Sequence, residues 1–159
     1  MAEQKNLEQA RVVFGTLCRA LDKNDWKYKK DEDKLSIECG VQGDDLPMDI
    51  TVRVDADRRL VLLISHMPFV VREDKRLDAA IAVSAVNDRL ADGSFDYDIE
   101  SGHMFFRMTN SYIESEVSDE VFSYMLACSC FTIDEYNDKY LMLAKGIISI
   151  EQFLAALAE

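Results

Sequence analysis

The sequence of 159 residues lacks any long apolar segment. The plainest apolar run, residues 60–64, falls far below the roughly 20 residues that a helix needs to cross a bilayer. The first residues are polar and enter an amphipathic pattern, so the apolar core of a secretion signal is missing as well. These features predict a cytoplasmic protein that does not insert into membranes.

Basic residues are scarce compared with acidic ones. The chain has 18 Lys and Arg against 30 Asp and Glu, which gives a formal net charge of −12. Nucleic acids and anionic membrane surfaces are bound mainly through basic charge, so this balance argues against both as partners. It favours a soluble protein whose partner is another protein.

Residues typical of catalytic sites are also few. Histidine is the usual acid or base at neutral pH, and the chain has only His66 and His103. Both fit structural positions, one late in an apolar strand and one after a Ser-Gly turn. Glycine-rich phosphate loops, Gly-x-Ser-x-Gly elbows and His-Glu-x-x-His motifs do not occur. We therefore predict no catalytic residues and no enzymatic activity.

Two residue sets have the chemistry of metal ligands. Asp96, Asp98 and Glu100 alternate along a predicted strand, so their carboxylates share one face and could hold a cation such as calcium. Aromatic and aliphatic residues occupy the opposite face, which favours a solvated acidic face. Cys128 and Cys130 are two residues apart on a predicted helix and point about 200° apart, so they do not share a zinc ion. The sequence therefore predicts no metal and no cofactor, with its four cysteines reduced.

Residues 26–30 interleave Trp26 and Tyr28 with three lysines, a pattern found where single-stranded nucleic acids stack and pair with protein. Acidic residues follow at positions 31–33, and lysines also protect an edge strand against unwanted pairing. With a net charge of −12, the edge-strand interpretation is favoured.

One short apolar segment stands where loops usually lie at the surface. Met67, Phe69, Val70 and Val71 follow an apolar strand and precede a predicted helix. If they are exposed, they form an apolar patch of the kind that marks a partner-binding site. The alternative is that they belong to the core.

The apolar periodicity predicts an α+β fold. Apolar residues recur at helical spacing from about residue 5 to 21, and they alternate at residues 35–41 and 48–54, as in strands with one buried face. A short strand around Trp26 and Tyr28 is expected to precede them. Residues 60–67 are mostly apolar at both odd and even positions, as in a strand that is central or covered on both faces. Pro68 is expected to end this strand.

The second half of the chain predicts a helix, a hairpin and two further helices. A helix is expected from residue 73 to Gly93, with apolar residues Leu77, Ile81, Val83, Val86 and Leu90. A hairpin follows at residues 95–108. The next helix begins at Ser118 and ends near Gly146, and Ser149 with Gln152 predicts a capping box for a last short helix. The predicted order is α-β(3–4)-α-β(2)-α-α, an antiparallel sheet with flanking helices in one domain over residues 1–159.

Several segments resemble the YbjN family of bacterial proteins. The strongest is residues 86–95, VNDRLADGSF, followed by Ser-Gly at 101–102 and Phe-Phe-Arg at 105–107. Four further features occur in the order that this family shows. They are Trp26 and Tyr28 after the first helix, Pro68 at a strand end, the helix start at 118–120 and Asp-Glu-Tyr at 134–136. The resemblance extends over most of the chain.

The resemblance implies the fold of type III secretion chaperones, which are small, acidic, cytosolic and commonly homodimeric proteins. These chaperones hold their clients in extended form along their sheet and helix surfaces. The YbjN-like proteins are described as regulators of sensory transduction, and the family brings no catalytic residues. The leading hypothesis is therefore a homodimeric, non-enzymatic protein-binding module, chaperone-like or regulatory. One alternative is a small-molecule or metal binder with weak hydrolytic activity, which would use His66, His103 or the carboxylates at positions 96, 98 and 100. Another is a structural subunit of a larger assembly, which the sequence does not distinguish from the leading hypothesis.

Overall fold

In a computed structural model, the chain forms a six-stranded antiparallel sheet and four α-helices. The structure describes residues 1–159 except for the side chain of Ala2. The elements in chain order are α1 (Ala2–Lys23), β1 (Lys29–Asp31), β2 (Ser36–Gln42), β3 (Pro47–Asp55), β4 (Leu60–Val70), a 3-10 turn (Glu73–Lys75), α2 (Arg76–Asn87), β5 (Ser94–Tyr97), β6 (His103–Ser111), α3 (Asp119–Ala144) and α4 (Ile150–Leu157). The predicted α+β class is confirmed.

The strands lie in the order β1-β2-β3-β4-β6-β5, and every neighbouring pair is antiparallel. The register aligns alternate residues into rows across the sheet, because side chains of a strand point to the two faces in turn. One such row consists of Ile37, Val52, Leu63 and Met108, all of which are buried. The period-two pattern of the sequence therefore defines an inner face, which carries the core.

Helices α1 and α3 pack together and lie across the inner face. Ser129 of α3, for example, donates from its hydroxyl to Met108 Sδ of β6 at 3.8 Å. Helix α2 packs beside β5 and against α4. In the part of the chain that the structure describes, no helix is long and apolar enough to span a membrane.

The predicted helix starts at Ser118 and Ser149 are confirmed. The Ser118 hydroxyl accepts a hydrogen bond from the amide of Val121, which satisfies one of the free amides at the start of α3. Ser149 and Gln152 form the predicted capping box, with distances of 3.2 Å and 2.8 Å for the two reciprocal hydrogen bonds. Local sequence therefore determines where both helices begin.

Two strand boundaries differ from the prediction. Strand β4 does not end at Pro68 but continues to Val70, with a register shift between His66 and Val70. A proline has no amide to donate, and an irregular register tolerates it. The leading strand is Lys29–Asp31, so Trp26 and Tyr28 precede it and pack partly buried against the core. The predicted edge-strand position is confirmed for Lys29 and Lys30, whereas Lys27 precedes the strand.

Helix α2 ends at Asn87, six residues before Gly93. The Asn87 side chain bonds both backbone groups of Phe95, donating to its carbonyl at 2.9 Å and accepting from its amide at 2.8 Å. These hydrogen bonds join the end of α2 to β5, and residues 88–93 between them form a loop. Leu90 therefore lies outside the helix to which its spacing assigned it.

Candidate partner-binding surface

The two histidines lie on the outer face of the sheet, opposite the helices, and both are exposed. The His66 ring lies 5.4 Å from the ring of Phe105, measured between centroids. His103 is opposite Val70, further along the same strand pair. Among the described side chains, no group of three His, Cys, Asp or Glu residues is arranged to hold a metal.

The acidic triplet does not form a shared strand face. Asp96 lies on β5 and pairs with Arg107 at 2.9 Å. Strand β5 ends at Tyr97, so Asp98 and Glu100 belong to the turn. Asp98 accepts hydrogen bonds from the Ser101 hydroxyl and the Glu100 amide, which lower the pKa of its carboxyl. The carboxylate of Asp98 therefore stabilises the turn and that of Asp96 forms an ion pair, and the prediction of a common strand face was wrong.

The four cysteines are free thiols. Cys39 on β2 is buried, and Cys130 on α3 is partly buried beneath neighbouring residues. Burial disfavours the thiolate and raises the pKa of both thiols to about 11. Cys39 therefore belongs to the core, and Cys130 packs against it.

This burial predicts slow alkylation. In the native protein at pH 8, Cys39 and Cys130 should resist iodoacetamide, because the thiolate is the reactive species and both pKa values lie well above that pH. In guanidinium chloride all four cysteines should react. Peptide mass spectrometry would measure both states, and rapid native modification of Cys39 would contradict the buried position.

The segment predicted to bind a partner is divided between core and surface. Met67 and Val71 are buried in the hydrophobic core, Phe69 is partly buried, and Val70 is exposed. Because β4 continues through the segment, alternate residues point to opposite faces. It does not form one exposed apolar patch, and a contact with a partner stays a prediction for Phe69 and Val70.

A larger apolar surface lies on α2 and α4. Leu77 is 73% exposed and Ile81 is 51% exposed, one helical turn apart on α2, and Leu154 of α4 is 38% exposed beside them. Ala80, Ser84, Ala85 and Asp88 complete the lining of this shallow depression, which we call the α2–α4 surface. Clustered apolar side chains in contact with water are typical of protein interfaces.

The sequence pattern concealed this surface. The helix was predicted from a single set of apolar residues, Leu77, Ile81, Val83, Val86 and Leu90, without a distinction between its two sides. The structure instead buries Ala79, Ala82, Val83 and Val86 against β5, α3 and α4. Small residues allow close approach of helices, so the tightly packed side of α2 is the alanine side. The sequence did contain one indication of an exposed apolar surface, because α2 has apolar residues on both of its sides.

A second apolar feature lies on the outer face of the sheet. Leu60, Leu62 and Ile64 of β4 are partly buried and point away from the helices, with Phe105 of the neighbouring strand continuing the line. We call these four residues the β4 strip. In the part of the chain that the structure describes, every outward-facing residue of the sheet is exposed or only partly buried. The outer face therefore has no helix above it.

Comparisons with known proteins match this architecture. The YbjN family model, described as "Putative bacterial sensory transduction regulator", matches residues 15–141. The crystal structure of YbjN from E. coli is similar, with a TM-score of 0.56 and 16% identity over 79% of this chain and 91% of that chain. A chain in the structure of the HopA1–SchA chaperone–effector complex has a TM-score of 0.51 and 14% identity over 79% of this chain and 90% of its own. No curated protein matches in sequence.

Proposed function

The chain belongs to the YbjN family, and on that premise we propose that it is a non-enzymatic protein-binding module that acts as a homodimer. The observation that carries the proposal is the α2–α4 surface, where Leu77, Ile81 and Leu154 are exposed side by side. Exposed leucine and isoleucine side chains gain free energy when a protein partner removes them from water. The occupant that we assign to this surface is a second copy of the chain.

The residue sizes along α2 suit pairing with itself. Leu77 and Ile81 lie toward the start of the helix, whereas Ser84 and Ala85 lie toward its end. In a two-fold dimer with antiparallel α2 helices and the axis near Ile81, Leu77 of one protomer faces Ser84 and Ala85 of its partner. Two-fold interfaces must be self-complementary in this way.

The client or target of the dimer is proposed to be another protein, and the role to be chaperone-like or regulatory in the cytosol. The family description supports a regulator, and the fold shared with a chain of a chaperone–effector complex supports a chaperone-like module. Among the described residues, no group of three His, Cys, Asp or Glu side chains is arranged to hold a metal ion, so no observation favours the small-molecule or metal-binding alternative.

A charge placed in the α2–α4 surface tests the dimer. Ile81→Lys should convert a dimer to a monomer, because two lysines would meet near the two-fold axis without an acidic partner. Light scattering coupled to size-exclusion chromatography gives the mass directly. We expect the wild-type chain to have twice the mass of the variant at micromolar concentration.

Ile113→Lys is the matched control, since Ile113 is also 51% exposed but lies in the loop after β6. It should leave the dimer intact, and circular dichroism should show that both variants are folded. A wild-type chain that is monomeric at all concentrations would contradict the proposal. Equal weakening by both variants would place the dimer contact elsewhere.

A further inference from the structure

We propose that α4 is a displaceable strap, whose place is taken by a short helix of the protein partner with an aromatic anchor. Helix α4 packs on α2 and on the end of α3, where Phe153 meets Tyr140. We call this seat, made by Tyr140 and the adjoining side of α2, the α4 cradle. The inference rests on the proposed protein-binding function and adds a contact within the chain that competes with the partner.

Only apolar contacts hold α4 in the cradle. Among the described residues, no hydrogen bond or salt bridge joins residues 150–157 to another element. Each of the other helices has such a link, since Gln9 of α1, Asn87 of α2 and Asp134 of α3 bond the backbone of other segments. Apolar attraction is not directional, so another helix with a similar apolar side can replace α4.

Helix α3 ends in the same way whether or not α4 is docked. Gly146 has a φ of +72°, its amide donates to the carbonyl of Leu143 at 3.0 Å, and the amide of Ile147 donates to that of Met142 at 2.8 Å. These bonds satisfy the last carbonyls of α3 from within the link. The family match also stops at residue 141, before the link and α4. The fold of the matched region therefore does not require the strap.

The closed cradle leaves one buried polar group without a partner. Tyr140 is fully buried, and its hydroxyl has no hydrogen-bond partner among the described residues. Its ring lies 5.4 Å from the ring of Phe153 and 5.0 Å from that of Phe95, measured between centroids. An unpaired buried hydroxyl destabilises the state that buries it, and water can satisfy the group once α4 leaves. This cost weakens the docked state of α4.

The resident helix shows which partner segment fits. Ile150, Phe153 and Leu157 are three and four residues apart and form its inner side, with Phe153 fully buried and the other two partly buried. The fitting segment is therefore a short helix with a central aromatic residue and an aliphatic residue on either side at this spacing. Leu154 faces the α2–α4 surface, so a partner helix with a charge at that position would dock and oppose the homodimer.

A fluorescent peptide of residues 146–159 tests the cradle on the full-length protein, with fluorescence anisotropy as the readout. Wild-type protein should bind it weakly, because its own α4 competes at the high effective concentration of a tethered segment. Phe153→Ala protein lacks the anchor of its own α4 and should bind the peptide at least about tenfold more tightly. The peptide with Phe153→Ala should not bind measurably to either protein.

Ser149→Ala loosens α4 without altering the cradle. It removes the cap at the start of the helix, and such a loss commonly reduces helix stability about fivefold as an equilibrium constant. The variant should bind the peptide about three- to tenfold more tightly than wild type. Ser118→Ala is the matched control, since it removes the corresponding cap from α3 and should leave the peptide affinity unchanged. Circular dichroism should show that both variants are folded.

A peptide with Leu154→Lys separates the cradle from the dimer. The wild-type peptide should restore the dimeric mass of Phe153→Ala protein, because it supplies Leu154 again. The Leu154→Lys peptide should bind that protein equally well but leave it monomeric, and at saturation it should convert the wild-type dimer to a monomer.

The outcomes distinguish failure of the strap from failure of the dimer. If folded Phe153→Ala and Ser149→Ala proteins bind the peptide no more tightly than wild type, the strap is overturned, whatever the oligomeric mass. If both bind as expected while every mass stays monomeric, the strap stands and the dimer is overturned. A wild-type dimer that persists when saturated with the Leu154→Lys peptide would refute the competition between partner and second copy.

Discussion

Gly93→Ala is expected to lower the free energy of unfolding by about 2–5 kcal/mol. Gly93 has a φ of +73°, a backbone conformation that costs an L-residue about 1–2 kcal/mol. The added Cβ would also meet the ring of Phe106, lying 3.0 Å from Cε2 and nearer still to Cζ. Phe106 is fully buried, so its ring cannot move into solvent.

Gly15→Ala is the matched control and should act in the opposite direction. Gly15 lies on the exposed side of α1, and an added Cβ would have no neighbour within 4 Å. Alanine in a helix interior is favoured over glycine by about 1 kcal/mol, so this variant should be more stable than the wild type. Urea unfolding followed by circular dichroism compares the two. Equal unfolding midpoints for Gly93→Ala and the wild type would contradict the close packing of Phe106 against this turn.

Local sequence signals predicted those parts of the fold that depend on neighbouring residues. The alternation of apolar and polar residues at positions 48–54 correctly predicted the buried side chains of β3. Side chains alternate between the two faces of a strand whatever the strand pairs with. Ser118 and Ser149 marked helix starts because their hydroxyls bond amides three residues away. These features need no knowledge of the rest of the chain.

The candidate surfaces were not predicted, because both depend on which neighbour covers an element. Residues 60–64 are apolar on both sides, and the sequence allowed either coverage on both faces or a central position. The structure gives β4 the central position and leaves its outer side without a helix. Likewise, only packing of α2 against α4 and β5 shows that its alanines are buried and Leu77 is exposed.

Phe153→Ala is expected to lower the free energy of unfolding by about 3–5 kcal/mol and to release α4 from the domain. Phe153 is the buried residue of this helix, is fully inaccessible, and lies 5.4 Å from the ring of Tyr140. A helix of eight residues is too short to persist without tertiary contacts. Removing its one anchor should therefore expose the Tyr140 side chain and the adjoining part of α2.

The same change should abolish the dimer, because α4 supplies Leu154 to the α2–α4 surface. Hydrogen exchange of the α4 amides, light scattering and urea unfolding measure the three effects. Unfolding should be followed at low protein concentration, since dimer formation itself raises the apparent stability.

Leu154→Ala separates loss of the dimer contact from release of α4. It alters the next residue, which is 38% exposed, so it should weaken the dimer while α4 stays protected from exchange. If Phe153→Ala kept both its α4 protection and its dimeric mass, the side chain of Phe153 would not be what holds this helix in place.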